Sequence, residues 1–131
     1  MSAEFLDTNI ILYLLDDGPK ADVAEQILAR RGMISVQVLN EALVNCIRKA
    51  DMSWDEAGFF LDGVRRFCVV CDLTLETHDI GRALGERYRL SVYDAMIVAA
   101  ALENGCETLY SEDMQNGLVV ERRLRIMNPF A

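Results

Sequence analysis

Short apolar runs alternate with longer amphipathic segments along the whole chain. The apolar runs are too short for helices and are bounded by turn-forming residues, as strands are. The predicted strands cover residues 3–7, 33–36, 67–71, 107–110 and 123–127. The predicted helices cover residues 9–15, 20–31, 37–50, 53–66, 75–88 and 92–104. This alternation predicts an α/β fold: one domain, residues 1–131, with a mostly parallel sheet of about four to five strands and helices on both faces.

The ends of several elements carry their own signals. Ser53 is a good N-cap for the helix over 53–66, and Asn104-Gly105 is a good end for the helix over 92–104. The stretch "AMIVAAAL" is apolar all round, which predicts that this helix is buried and that its first turn faces protein. The stretch "FCVVCDL" is predicted to be a buried strand.

Composition and charge exclude several classes of protein. With 52% hydrophobic residues and 2 prolines, the chain is not disordered. Its apolar runs are about half as long as a membrane span, and no signal-peptide pattern is present, so we expect a cytoplasmic protein. The net charge of −8 argues against a protein that coats nucleic acid through a basic surface. It leaves open an enzyme that meets a phosphodiester through bound cations.

The four cysteines are Cys46, Cys68, Cys71 and Cys106. The pair in "CVVC" resembles a redox or half-zinc motif. On a strand, however, residues three apart point to opposite faces, and no second pair completes a zinc site. We therefore expect buried free thiols.

Four acids are predicted to share one edge of the sheet. In parallel sheets, ligands bind at the carboxyl ends of the strands. Asp7 ends the first strand, and Glu41 lies about one turn into the helix that follows the second. Asp94 begins a helix antiparallel to the next strand, and Asp113 comes just after the end of that strand.

Each acid alone also has an ordinary structural explanation. Asp7 suits the N-cap of the helix that follows it. Asp94 falls in a Ser-x-x-Asp capping box with Ser91 as the cap. Glu41 projects away from the apolar stripe of its helix, as a solvated glutamate does, and Asp113 suits a turn.

Taken together, the acids indicate a metal site. Clustered carboxylates raise one another's pKa and repel, so they persist as anions only beside cations. No histidine or cysteine is among them, and oxygen ligands suit Mg²⁺ or Mn²⁺. Such a site supports hydrolysis of a phosphodiester by a metal-activated water, without a protein nucleophile.

Four segments carry a resemblance to a known family: "FLDTNIILYLL", "ISVQVLNEAL", "SVYDAMIVAAALENGC" and "LYSEDMQNG". In their order and separation they resemble PIN-domain ribonucleases, and within that family the VapC-type toxins of toxin–antitoxin pairs. The resemblance implies a Mg²⁺- or Mn²⁺-dependent endoribonuclease. Its catalytic and metal-binding residues would be Asp7, Glu41, Asp94 and Asp113, supported by Thr8, Asn9 and Ser111. The family often has threonine at the position of Ser111.

The resemblance also implies partners: an RNA substrate, a homodimer, and a VapB-like antitoxin that blocks the site. In "MSWDEAGFFLDGV" the residues Trp54, Phe59 and Phe60 are candidates for binding a partner. Phe59 and Phe60 are adjacent on a helix, so both cannot be central on one buried stripe. A position at the edge of the core remains an equal explanation for both.

Two other functions are weighed against the nuclease. A phosphotransferase with Asp7 as nucleophile would resemble the haloacid dehalogenases, which place an aspartate two residues further on, where this chain has Asn9. A catalytically silent metal- and partner-binding module stays open, because intact acids do not prove turnover. The acidic rim, which is the edge formed by Asp7, Glu41, Asp94 and Asp113, is also predicted to accept an arginine or lysine from an antitoxin, which would displace the metal.

Overall fold

The computed structural model describes residues 3–131, which fold around a six-stranded sheet. The strands are β1 (Glu4–Leu6), β2 (Met33–Ser35), β3 (Val69–Cys71), β4 (Thr108–Tyr110), β5 (Val119–Val120) and β6 (Leu124–Met127). Their order across the sheet is β3-β2-β1-β4-β6-β5, and only the pairing of β5 with β6 is antiparallel. The predicted mostly parallel α/β fold is confirmed. The sequence reading missed β5, which is too short to show a periodic pattern.

The helices agree with the predicted segments to within a few residues. They are α1 (Thr8–Leu12), α2 (Pro19–Ala29), α3 (Val36–Arg48), α4 (Trp54–Arg65), α5 (Leu75–Tyr88) and α6 (Val92–Glu103). The segment predicted as one helix over 9–15 divides into α1 and a 3₁₀ turn, Tyr13–Leu15. None of these helices is long and apolar enough to cross a membrane, in the part of the chain that is described.

Side chains at the helix ends explain where several helices begin. Ser53 and Glu56 form a reciprocal capping box at the start of α4, as the sequence predicts for Ser53. Ser35, the last residue of β2, accepts a weak hydrogen bond from the Val38 amide and so begins α3 directly after the strand. Gly105 follows α6 with a φ of +71°, the left-handed conformation that a helix-ending glycine adopts.

The core surrounds β1 at the centre of the sheet. Phe5 and Leu6 are consecutive and both fully buried, although neighbouring strand residues point to opposite faces. Both faces of the sheet are therefore covered, as in other parallel sheets. Most of α6 is also buried, from Ala95 to Leu102 with one half-buried position.

Two predictions about burial are wrong. The first turn of α6 does not face protein: Val92 is 67% exposed and Tyr93 is 68% exposed. The "CVVC" strand is not buried, because β3 is an edge strand and exposes Val69. A run of apolar residues indicates a strand but does not say whether the strand has a neighbour on each side.

The cysteines are free thiols. Cys46, Cys68 and Cys106 are buried and Cys71 is half-buried. Burial raises the pKa of the Cys68 and Cys106 thiols to about 11, so both are protonated at neutral pH. The prediction of free thiols is confirmed, with Cys71 less buried than expected.

Candidate functional site

Asp7 lies at the carboxyl end of β1 and is only 4% exposed. Its amide donates to the carbonyl of Tyr110 at 2.9 Å, which continues the pairing of β1 with β4 by one residue. Its Oδ1 accepts from the Thr8 amide at 2.7 Å, so Asp7 does cap α1. Burial, together with the charges of Asp94 and Glu41, raises the pKa of Asp7 to about 6 against the opposing hydrogen bonds from Ser111 and Thr8. Asp7 is therefore both a helix cap and an acid under electrostatic strain.

Ser111 anchors the loop after β4 to Asp7. Its side chain is fully buried, and its hydroxyl donates to Asp7 Oδ2 at 2.7 Å. Ser111 Oγ itself accepts from the amides of Asp113 and Met114, each at 3.2 Å. One hydroxyl thus fixes the buried carboxylate and the loop that carries Asp113.

Asn9 joins the two ends of the rim. Its Nδ2 donates to Asp113 Oδ2 at 3.0 Å and makes a long contact of 3.5 Å with Asp7 Oδ2. Its Oδ1 accepts from the amide of Glu112 at 3.3 Å. Because this amide contacts both carboxylates, Asn9 and Asp113, which are 104 residues apart in sequence, share one hydrogen-bond network with Asp7 at the end of β1.

Glu112 and Asp113 are adjacent in sequence but have different surroundings. Glu112 accepts from Tyr13 Oη at 2.6 Å and from Lys20 Nζ at 2.5 Å. The hydrogen bond from Lys20 is the largest cause that lowers the pKa of Glu112, and the hydrogen bond from Tyr13 lowers that pKa further. Glu112 therefore has its own cation from this chain, whereas Asp113 is held by an uncharged amide.

Glu41 is half-buried on α3, and a second side chain holds it. Gln37, one turn earlier on the helix, donates from Nε2 to Glu41 Oε1 at 2.8 Å. The same nitrogen donates to the main-chain carbonyl of Tyr93 at 3.0 Å. Glu41 is thus not the solvated surface glutamate that periodicity alone favours. Gln37 was not predicted from the sequence, although its position four residues before Glu41 on a helix indicates that the two side chains can meet.

Asp94 lies in the exposed first turn of α6 and is itself half-buried. Its amide donates to Ser91 Oγ at 3.3 Å, which is the N-cap interaction that the sequence predicts. In the described residues, the reciprocal bond from the Ser91 amide to the Asp94 carboxylate is absent. Burial raises the pKa of Asp94; the Ser91 hydroxyl opposes this rise and the charge of Asp113 adds to it. The capping role therefore leaves the Asp94 carboxylate available for another partner.

Electrostatic coupling connects all four acids. Glu41 and Asp94 act on Asp7, and Asp113 acts on Asp94. Within residues 3–131, however, no three Asp, Glu, His or Cys side chains are arranged to hold a metal ion. Like charges separate and turn toward nearby donors, here Ser111 and Asn9. Shared coordination would need some of these side chains to turn toward a common point.

The chemistry of the donors fits a hard divalent cation. Every side chain in the cluster offers oxygen, and the central acid is buried and destabilised by its neighbours. Next to Asp7, Thr8 Oγ1 is the one buried side-chain polar atom without a hydrogen-bond partner in the described part of the chain. An unpartnered buried hydroxyl beside a strained carboxylate is consistent with a ligand at this position.

An apolar groove lies along α4, away from the acids. Phe59 and Trp54 are 81% and 71% exposed, whereas Phe60 is half-buried against the core. The groove has a volume of about 690 Å³, and Phe59, Phe60 and Phe67 line it, with Asp55 also contributing. Phe60 is therefore an edge-of-core residue, whereas Phe59 is an exposed surface residue; both line the groove.

A second apolar surface surrounds the starts of α5 and α6. Its exposed side chains are Leu73, Leu75, Val92 and Tyr93. Three of them, all except Leu75, line one cleft together with Gln37. This surface therefore borders the acidic rim, because Gln37 contacts Glu41.

The family model described as PIN domain matches residues 5–115. No curated protein matches the chain in sequence.

Several solved structures share the fold at low sequence identity. A toxin–antitoxin complex from Klebsiella pneumoniae has a chain 21% identical, with a TM-score of 0.74 and 98% of each chain covered. DNA-bound VapBC from Salmonella typhimurium is 19% identical, with a TM-score of 0.72, covering 98% of this chain and 99% of that one. VapC20 of Mycobacterium tuberculosis, described as a toxin that cleaves the sarcin–ricin loop, is 20% identical, with a TM-score of 0.68, covering 85% and 90%.

Proposed function

The chain belongs to the PIN domain family, and from this premise we propose that it is a metal-dependent endoribonuclease, the toxin of a toxin–antitoxin pair. The observation that carries the proposal is the buried Asp7, whose pKa of about 6 reflects burial beside Asp94 and Glu41. A fold does not by itself decide a function, so the acids carry the argument. The solved structures described as a toxin–antitoxin complex, as the toxin VapC20 and as DNA-bound VapBC support it.

In this proposal Asp7, Glu41, Asp94 and Asp113 hold Mg²⁺ or Mn²⁺. The bound cation would activate a water for in-line attack on the RNA phosphodiester and stabilise charge on the leaving oxygen. Ser111 and the Thr8 amide hold Asp7 in place, and Asn9 ties Asp113 to it. The protein residues would thus supply oxygen ligands once the acid side chains turn toward a common point, and none is required as a nucleophile.

An assay of RNA cleavage tests the proposal. We expect purified protein to cleave single-stranded RNA with Mn²⁺ or Mg²⁺ and to stop when a chelator is added. Asp7→Asn should lose nearly all activity while keeping its fold, because the neutral amide cannot serve as an anionic ligand. Asp62→Asn, at an exposed position on α4 beside Arg65, is the matched control and should cleave normally. Cleavage that persists in chelator would contradict the proposal.

The protein partners belong to the same proposal. The relatives described as toxin–antitoxin complexes support a VapB-like antitoxin here. The groove along α4, which Phe59 lines, and the exposed Trp54 at the start of the same helix support a partner helix or extended segment, as large apolar patches do. We further propose a homodimer through the surface of Leu73, Leu75, Val92 and Tyr93. All partners would be met in the cytoplasm.

The antitoxin is also proposed to reach the acidic rim. A rim of carboxylates in a chain of net charge −8 suits an arginine or lysine that replaces the cation. Antitoxin without its basic tail residues should then inhibit RNA cleavage less, and the complex with intact antitoxin should hold less Mn²⁺. Full inhibition by the truncated antitoxin, with unchanged Mn²⁺ content, would contradict this mechanism.

A catalytically silent binding module is the second candidate. The observation in its favour is that the acids, as placed in residues 3–131, do not form a ready metal cage. Growth after induced expression separates the two functions. We expect the wild-type chain to arrest growth and Asp94→Asn to be harmless. Equal harmlessness of two well-expressed, folded proteins would favour the silent module.

A further inference from the structure

We propose that Gln37 is a positioning residue, which holds the Glu41 carboxylate against the start of α6 so that Glu41 and Asp94 can share a cation. The inference rests on the proposed function, because it concerns how the acids are brought together. It adds a residue whose side chain binds neither metal nor RNA but sets the place of one that does.

The amide of Gln37 joins two parts of the site. Gln37 is only 7% exposed, and its Nε2 donates to Glu41 Oε1 at 2.8 Å and to the Tyr93 carbonyl at 3.0 Å. A carboxylate at neutral pH and a carbonyl can only accept, so the nitrogen must face both of them. Both N–H groups of the amide are thereby used.

The two acceptors belong to different helices. Glu41 is on α3, and Tyr93 immediately precedes Asp94 in the first turn of α6. The chain between them passes through α4, β3 and α5 before it returns to the rim. A single side chain therefore sets the spacing between the elements that carry two of the four acids.

Glu41 needs such a restraint more than Asp7 does. Asp7 is held by Thr8 and Ser111 on a short side chain, whereas Glu41 is longer and half-buried. Repulsion from Asp7 would drive a free Glu41 carboxylate toward solvent. The Gln37 amide offsets this repulsion without adding charge. It therefore keeps Glu41 near the rim and leaves Glu41 Oε2 unused by Gln37.

The effect expected from losing this amide is large. Partners that orient a metal ligand typically change metal affinity or activity about 10- to 100-fold when they are removed. A residue that only packs the helices together would change stability and leave both quantities nearly unchanged. Metal affinity and turnover therefore distinguish positioning from packing.

The test compares Gln37→Met with the wild type. Methionine keeps an unbranched side chain of similar length, which suits a buried position, and removes both donors. We expect the dissociation constant for Mn²⁺, measured by electron paramagnetic resonance, to rise about 10- to 100-fold. We expect kcat for RNA cleavage to fall by a similar factor, with KM for RNA unchanged within about twofold. Circular dichroism at the assay temperature verifies that the variant is folded, and Gln37→Leu serves as a second variant.

Asn45→Ala is the matched control. Asn45 lies on the same helix and donates a bond of equal length, 2.8 Å, to the main-chain carbonyl of Glu41 rather than to its carboxylate. It should keep the Mn²⁺ affinity and kcat of the wild type. A double-mutant cycle with Glu41→Gln completes the test, because Gln37→Met should add little once the carboxylate is gone.

The outcomes separate this inference from the proposed function. If wild-type protein binds Mn²⁺ and cleaves RNA, and Gln37→Met behaves identically or additively with Glu41→Gln, the inference alone is wrong. If the wild type binds Mn²⁺ without cleaving RNA, and Gln37→Met binds it more weakly, the inference holds and the ribonuclease proposal fails. A wild-type chain that does not bind Mn²⁺ would overturn both.

Discussion

Asp7 combines requirements that oppose one another at the scale of a single residue. Its position after β1 buries it, while its carboxylate caps α1 and accepts the Ser111 hydroxyl. These hydrogen bonds favour the charged form, but burial and the neighbouring acids outweigh them, and the pKa rises to about 6. The ionised form of Asp7 therefore destabilises the folded protein, and a bound cation should offset this destabilisation.

The pH dependence of stability follows from this pKa. The folded state binds the Asp7 proton more tightly than the unfolded state does, so the free energy of unfolding should fall as pH rises from about 4 to about 6. The loss attributable to Asp7 is on the order of 3 kcal/mol, from a pKa raised from 3.8 to about 6. Below and above this window Asp7 should contribute no slope.

Urea unfolding in chelator, compared between wild type and Asp7→Asn, isolates this contribution from other acids. The variant should lack this slope and should be the more stable protein at pH 7. Added Mn²⁺ should stabilise the wild type and not the variant, because only the wild type binds it tightly in the folded state. If the free energy of unfolding depends on pH in the same way in both proteins, the pKa of Asp7 is not raised in the folded state.

The helix α6 shows how one element serves both the core and the site. Its middle is small and apolar, so it passes through the interior close to its neighbours; Ala99 and Ala101 are fully buried. Its first turn exposes Val92 and Tyr93 and carries Asp94 at the rim. Burial of the middle therefore fixes the direction in which the exposed start presents Asp94.

A large side chain in the middle of α6 should be costly. Ala99→Leu adds three carbons to a filled position, and we expect a loss of about 1–3 kcal/mol in the free energy of unfolding. Ala83→Leu makes the same change on the exposed side of α5 and should stay within about 0.5 kcal/mol. Chemical denaturation of both variants measures the difference. Equal stability of the two would mean that the interior around α6 is loosely packed.

At the scale of the whole molecule, two apolar surfaces interrupt an acidic exterior. One is the groove along α4, and the other surrounds the starts of α5 and α6. Solvation does not favour leaving several large apolar side chains exposed together, so each surface suits a protein partner. We assign the groove along α4 to the proposed antitoxin and the surface at the starts of α5 and α6 to the proposed second copy of the chain.

Two matched substitutions should separate these partners. Phe59→Asp should weaken antitoxin binding by at least about 30-fold, as for an interface hot spot, and should leave the self-association of the toxin unchanged. Leu75→Asp should convert a dimer to a monomer and leave antitoxin binding largely intact. Both side chains are highly exposed, so neither change should prevent folding. Analytical ultracentrifugation and calorimetric titration measure the two associations; loss of both in either variant would contradict the assignment.

Local patterns predicted most of the fold because their causes are local. The six helices and five of the six strands follow from periodicity, and Ser53 and Gly105 mark ends through caps and a left-handed turn. The order of strands and helices also predicts which edge of the sheet the acids share. Asp7 and Asp113 follow the ends of strands in sequence, and Glu41 and Asp94 lie near the starts of helices that are predicted to begin at that edge. The exception, β5, is two residues long and forms only because β6 provides a partner.

What the sequence by itself determined is the set of elements, the α/β class and the candidate acids, because spacing along a chain fixes which residues end a strand or begin a helix. Only the tertiary structure decided that Asp7 is strained, that Gln37 holds Glu41, that β3 lies at an edge and that α6 begins in solvent. Burial, hydrogen bonding and repulsion depend on residues distant in sequence. They exist only once the folded chain has brought those residues within reach of one another.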